Sequence, residues 1–402
     1  MRTPQLATRF IRVLAAPLLL AGKADGGAGT GGAMTRDLRH TATMVAAVAL
    51  AALCPALLSG ASAAAARTQA PAAARAAASR GALLGVAAAS NSSAWAVGYA
   101  GSISSPKVLM LHWNGSKWSR VTRPAVLARA GQLAAITIVS ASDAWAVGFT
   151  GTDTSQRTLL LHWNGTAWTQ VTRPAPIAGA LNAVTATAAS GWAVGDVHLG
   201  GAAFSPLILR LVGKAWSRPA TKYGTHADDD VVLSGVAVTS AKSAWAIGNT
   251  QATSALAHWN GSTWTSAYSL FPLPPVYFFG GIAPGPGGTA FTVGSRSSGT
   301  SQRPFSVKLA GTAWRRVTVS APPGAALHAV SFAPGGAAWA AGAAGTGTLI
   351  LRWTGKAWAR VSSPRTSGAV NGLGFSAANY GWAVGTSRSD TLVLHWNGST
   401  WR

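Results

Sequence analysis

Glutamate does not occur anywhere in the chain: all nine acidic side chains among its 402 residues are aspartates. Charged residues make up only 10% of the sequence, unlike the Glu/Lys-rich composition of helical proteins. No segment keeps helical periodicity over ten residues, which excludes stacked α-solenoid repeats. The single cysteine is Cys54, so no disulfide framework can form within the chain. No Ser/His/Asp triad motif, glycine-rich phosphate loop or zinc-ligand spacing occurs. No pair of acids recurs in the way that glycosidase partners require. With so few acids the net charge is +23. That charge favours anionic partners such as cell-wall polymers, acidic glycans, phospholipid headgroups or nucleic acid. The basic residues form no run, and their scatter reads as the surface of a soluble secreted protein.

What the chain does contain is one unit repeated. Ala94-Trp95-Ala96-Val97-Gly98 returns at Trp145, Trp192, Trp245, Phe291, Trp339 and Trp382, each aromatic followed three residues later by glycine. The central aromatics lie about 43 to 53 residues apart, a period found in propeller blades. Each repeat divides into four short β-type runs, here strands A to D, separated by turn residues. The predicted fold is therefore all-β, a seven-bladed β-propeller of four-stranded antiparallel blades over residues 82–402.

The C–D connection carries Asn-Gly at Asn114-Gly115, Asn164-Gly165, Asn260-Gly261 and Asn397-Gly398. This pair is expected to supply the positive φ angles of a tight hairpin turn. Trp113 and Trp118 flank the turn. A two-residue or a four-residue loop puts both indoles on one sheet face, where they are expected to pack within and between blades. The Asn-Gly-Ser/Thr sequences are read as turns rather than sugar-attachment sites.

Upstream, Arg36, Arg39 and His40 precede an uncharged apolar run from Met44 to Leu58, and Ala61-Ser62-Ala63 follows it. A basic flank, a short apolar core and an Ala-x-Ala site describe a secretory signal. The run is short for a membrane span. Residues 1–66 are thus expected to be an upstream segment and signal peptide, and the Ala-rich stretch 67–81 a flexible linker.

Two sets of residues are candidates for function. The first is a basic residue at one strand-C position of every repeat: His112, His162, Arg210, His258, Lys308, Arg352 and His395. Neighbouring blades hold these residues roughly 10 Å or more apart, so they cannot meet at one ligand. Packing against indoles is the expected role, with a cationic band for a polymer as the alternative. The second set is acidic. Asp196 and His198 are expected in the B–C connection of the third repeat. Tyr223, His226, Asp228, Asp229 and Asp230 follow in the long connection into the fourth. B–C and D–A connections share one face of a propeller, so these seven residues are expected as neighbours in a ligand-binding cluster. Such a cluster could bind Ca²⁺ or perform acid–base chemistry. Three successive aspartates cannot all point one way, which suits a solvated turn, and no other cofactor is expected.

The pattern L-x-x-V-x-x-x-S-x-x-x-A-W-A-V-G, followed by an apolar strand and a Gly-turn-Trp hairpin, resembles the BNR/Asp-box and photosystem II assembly factor-like propeller repeats. The chain departs from the Asp-box at its C–D turn, where Asn114 replaces the aspartate and Trp118 follows after four residues rather than five. The sialidases of that group use a supporting glutamate, which is absent here. The resemblance implies the propeller fold and a secreted bacterial type. The expectation for function is a secreted, monomeric, non-enzymatic propeller. It would bind or scaffold an extracellular glycan, an anionic cell-envelope polymer or a protein, with no specific nucleic-acid binding and no membrane span. The alternative is a propeller glycoside hydrolase or polysaccharide lyase acting at the acidic loops.

Overall fold

The computed structural model describes residues 79–402, except 153–154, 201–202, 220, 222–229, 251–253, 268–276, 299–300 and 365. The expected signal segment, and the expected linker as far as residue 78, lie outside the described residues. Within them the chain forms 27 strands in antiparallel sheets. The first unit is β1 (Gly81–Ser90), β2 (Ser93–Ser102), β3 (Ser105–Trp113) and β4 (Trp118–Arg120); the next is β5 (Gly131–Ser140), β6 (Asp143–Thr150), β7 (Arg157–Trp163) and β8 (Trp168–Gln170). Then come β9 (Gly179–Ala186), β10 (Ser190–Gly200), β11 (Ala203–Val212) and β12 (Ala215–Ser217), followed by β13 (Val232–Ser240), β14 (Ser243–Asn249), β15 (Ser254–Trp259) and β16 (Trp264–Ser266). The series continues with β17 (Tyr277–Pro284), β18 (Ala290–Ser298), β19 (Ser301–Ala310) and β20 (Ala313–Val319), then β21 (Ala325–Phe332), β22 (Ala338–Ala344), β23 (Gly347–Trp353) and β24 (Ala357–Arg360). β25 (Ala369–Ala377), β26 (Tyr380–Ser387) and β27 (Asp390–Trp396) complete it, with Trp401 bridging back to Trp396 in place of a fourth strand.

Each unit's strands pair in chain order, and a short parallel bridge between β20 and β24 joins two units at their outer edges. The first strands β1, β5, β9, β13, β17, β21 and β25 lie side by side in that order, and β25 lies against β1. The circle is closed. One contact recurs at the boundaries: Lys107 bridges Ala130, Arg157 bridges Ala178, and Gly347 bridges Ser367. Arg80 and Asp390 make the same bridge between the last unit and the first. Among the described residues closure therefore repeats an ordinary boundary, with no strand exchanged.

The second strands are apolar without alternation because both of their faces are covered by neighbouring sheets. In β2, residues Ala94 to Tyr99 are all buried. Across each boundary the central aromatic of one unit meets one or both indole positions of the next unit's C–D hairpin. Trp95 lies 4.9 Å from Trp163 and 5.3 Å, edge-on, from Trp168. Trp192 meets Trp259 and Trp264 in the same way, Phe291 meets Trp353 and Trp358, and Trp339 meets Trp396 and Trp401. Trp382 closes the series on Trp113 and Trp118.

Trp113 pairs with Trp118 in register, so the C–D loop has four residues. The expected source of the turn needs correction. Positive φ falls on Gly115, not on Asn114, since Arg388 is the one non-glycine residue with positive φ among those described. Asn114 acts through its side chain, whose Oδ1 accepts from the Ser116 N–H (3.1 Å), the Lys117 N–H (3.0 Å) and the Ser116 hydroxyl (2.9 Å). Asn164, Asn260 and Asn397 repeat this Asx turn.

Every first strand also carries a β-bulge at one position, next to the glycine that ends the repeated pentapeptide. A Cβ on Gly98 would fall on the carbonyl oxygen of Ala82, and the equivalent glycines from Gly148 to Gly385 face the same collision. Gly98→Ala should therefore destabilise the protein by about 3 kcal/mol, as expected of overpacking against backbone that cannot give way. Urea unfolding measures this; an unchanged midpoint would show that the bulge relaxes freely.

Candidate functional site

Of the acidic candidates, Asp196 and Asp230 sit at the end of the third unit where its second and third strands meet. Asp196 and His198 belong to strand β10, not to the connection expected from the sequence, because β10 continues in register with β11 as far as His198. The Asp196 side chain is buried, and both of its oxygens are engaged. Asn182 Nδ2 donates to Oδ1 at 3.1 Å, and His198 Nε2 lies 3.1 Å from Oδ2. Asn182 also donates to the Leu233 carbonyl of the next unit at 2.9 Å, so this network spans a boundary. The His198 ring stands edge-to-face on Phe204, with centroids 5.3 Å apart. Asp230 reaches the same place from the following connection, where it accepts the Phe204 N–H at 2.9 Å.

The structure thus brings Asp196, His198 and Asp230 together around Phe204. Tyr223, His226, Asp228 and Asp229 lie outside the described residues. Among the described residues no group of three His, Cys, Asp or Glu is placed to hold a metal ion. Asp196 spends its oxygens inside the protein, whereas Ca²⁺ requires six to eight oxygen ligands.

Asn182 is one of the bulged residues, a set that the sequence pattern did not single out. The others are Leu84, Ala134, Ser234, Gly280, His328 and Asn371. The asparagines reach to the next unit: as Asn182 does to Leu233, Asn371 Nδ2 donates to the Leu83 carbonyl at 3.1 Å. Burial lowers the pKa of His328, opposed by hydrogen bonds with Asn371 and Val370. In the letters Asn182, Ser234, His328 and Asn371 are polar residues within apolar runs, whereas Leu84, Ala134 and Gly280 leave no trace.

The basic strand-C residues pair in register with the central aromatics, Trp95 with His112 and Trp192 with Arg210 among them. His112, His162 and His258 each lie 4.1 Å from their indole. Arg210 sits over Trp192 and Trp259, Lys308 over Phe291 and Trp353, and Arg352 over Trp339. These groups are mortar between rings. Burial holds His112, His258 and His395 below the ordinary value of 6.5, with Arg402 adding to the effect at His395.

No protein-family model and no curated protein matches the chain. Solved structures do. YCF48 from Cyanidioschyzon merolae aligns with a TM-score of 0.53 at 15% identity, covering 79% of this chain and 96% of its own. YCF48 bound to D1 peptide gives 0.51 at 13% identity over 78% and 92% of the two chains. A polysaccharide lyase, ulvan lyase bound to -[GlcA(1-4)Rha3S]-, gives 0.52 at 10% identity over 80% and 96%. The fold is that of a β-propeller. At these identities the likeness extends to the fold and no further. Among the described residues no helix is long and apolar enough to cross a membrane.

The packed imidazoles make stability depend on pH. A folded pKa lowered below 6.5 means that the unfolded chain takes up protons first as pH falls. Their contribution is complete above about pH 6.5 and is lost below it. The urea midpoint should therefore drop between about pH 7 and pH 5, and replacing His112, His258 and His395 by glutamine should flatten the drop. A midpoint that rises on acidification would contradict the assignment.

Proposed function

We propose that the chain is a secreted, seven-bladed propeller that binds or scaffolds an extracellular glycan, an anionic envelope polymer or a protein, acting as a monomer without turnover. In this reading residues 1–66 direct export, the Ala-rich stretch from 67 forms a linker, and the binding domain begins just before β1, where Arg80 already bridges Asp390. One observation carries the non-enzymatic side: the described acidic cluster is tied up within the protein. Asp196 is buried and bonded to Asn182 and His198, and Asp230 caps the Phe204 amide. Asp196 in particular leaves no carboxylate oxygen aimed at a substrate, as a general acid or base requires. The seven repeated pentapeptides support the blade number, and the apolar run with its Ala-x-Ala site supports export. The peptide bound by YCF48 supports a propeller of this size as a binding platform. The reading needs no cofactor, with Ca²⁺ at the acidic connection as the one cation its residues would suit.

The second reading is a polysaccharide lyase or glycoside hydrolase, favoured by the fold shared with ulvan lyase. Expression of the full chain in a secreting host separates the two. The expected result is a protein in the medium that begins near residue 64, is retained on anionic polymer in a salt-sensitive manner, and produces no new ends in a polysaccharide panel. Turnover that disappears in Asp196→Asn and Asp230→Asn would replace this reading with the enzymatic one.

A further inference from the structure

The cations that look scattered along the sequence are sorted by the fold. Exposed Lys117, Lys214, Lys242 and Lys356 all lie in C–D or A–B turns, at one end of the sheets. Exposed Arg123, Arg129, Arg157 and Arg173, with Lys107 beside them, lie at the opposite end, in D–A connections or at a strand-C start. Antiparallel order alone puts these two groups on opposite faces. Arginine is the side chain suited to oxyanions, because its planar fork gives two parallel donors, whereas lysine offers a hydrated point charge.

On the arginine face one place is built more closely than the rest. Arg296 near the end of β18 and Arg303 near the start of β19 are direct cross-strand partners. Like charges placed opposite each other repel, and no carboxylate among the described residues pairs with either. Both line a shallow cleft of about 200 Å³, together with Pro304 and the connection that runs Val319, Ala321, Pro322 and Pro323. Two bonds fix that connection. Gly324 N–H donates to the Gln302 carbonyl at 2.9 Å, and Ser320 N–H donates to the Trp358 carbonyl of the neighbouring unit at 3.0 Å. The parallel pairing of Thr318 and Val319 with β24 holds it further.

We propose that Arg296 and Arg303 form an oxyanion subsite for the sulfate or carboxylate group of an acidic polysaccharide lying across the arginine face. This rests on the polymer-binding reading above and adds the place and the chemistry. An anion between the two guanidiniums removes their repulsion and accepts from both. The volume holds roughly six waters, enough for one charged group and part of the sugar that carries it. The prolines present C–H faces and no N–H, so the wall suits a sugar ring and gives a peptide backbone no donor. None of the lining residues is aromatic, and single-stranded nucleic acid uses aromatic rings as its stacking platform.

The test compares Arg296→Gln/Arg303→Gln with Lys214→Gln/Lys242→Gln, which removes the same charge from the opposite face. Each protein is titrated with dextran sulfate, polygalacturonate, neutral dextran and a DNA oligonucleotide at physiological salt, after thermal unfolding confirms that it is folded. The arginine pair should weaken binding to dextran sulfate or polygalacturonate by about tenfold or more, in line with the loss of charge-assisted hydrogen bonds. The lysine pair should change it less than about twofold, and neutral dextran should not bind. The two acidic polymers show whether sulfate or carboxylate is preferred. Equal losses in both variants, or none in the arginine variant, would overturn the subsite and leave the polymer reading standing. DNA bound more tightly than either glycan, through the same arginines, would overturn the glycan assignment. Wild-type protein that binds no polyanion would overturn the subsite and the polymer reading together.

Discussion

The structure depends on contact between the central aromatic of one sheet and the indoles at the C–D turn of the next. A four-stranded unit alone leaves the faces of its second strand open, and the residues from Ala94 to Tyr99 would meet water. Stacked in a circle, each unit covers its neighbour. The pieces form a short column: His112 lies against Trp95, Trp95 against Trp163, and Trp168 meets Trp95 edge-on. Rings in offset or edge-to-face contact add to the burial of their area. The outer indole is anchored as well, since Trp113 Nε1 donates to the Asn91 carbonyl and Trp163 Nε1 to that of Ala141. Two boundaries lack the outer indole, with Leu211 and Leu309 at that position. There Trp145 meets Trp216, and Trp245 meets Trp314, edge-on.

This packing decides which charges can face a ligand. The basic residue of strand C is drawn into the column, and burial holds several of its imidazoles toward the neutral form. Asp196 in the third unit is also turned inward, toward Asn182, which reaches the adjoining sheet. The groups left for recognition are those carried by the turns. Antiparallel strand order sends each turn to one of two faces.

Much of this was legible in the sequence. Apolar runs bounded by turn residues marked the strands, and the Trp113–Trp118 spacing put both indoles on one side under either loop length. The bulges were not legible, because an unpaired residue such as Asn182 leaves no gap in the letters. The same ambiguity hid the reason for Gly98, whose neighbour across the sheet is a displaced carbonyl. Asn114 was read as a source of positive φ because Asn-Gly serves that role in two-residue turns. In a four-residue loop its side chain caps the backbone instead. Asp196 and His198 were placed in a connection because the polar letters after Gly195 look like a turn, whereas pairing with β11 carries the strand through them. The gathering of arginines on one face is hidden in the letters because Arg123, Arg173 and Arg296 belong to different units.

The central claim is that indoles from adjacent units hold one another, and a double-mutant cycle across one boundary tests it most directly. Trp95 and Trp168 belong to different units, and their rings are 5.3 Å apart. The single and paired replacements by leucine, followed by urea unfolding, should give a coupling energy of about 0.5–1.5 kcal/mol. Strictly additive losses would mean that the two indoles only fill space within their own sheets, and the circle would have to be held by something else.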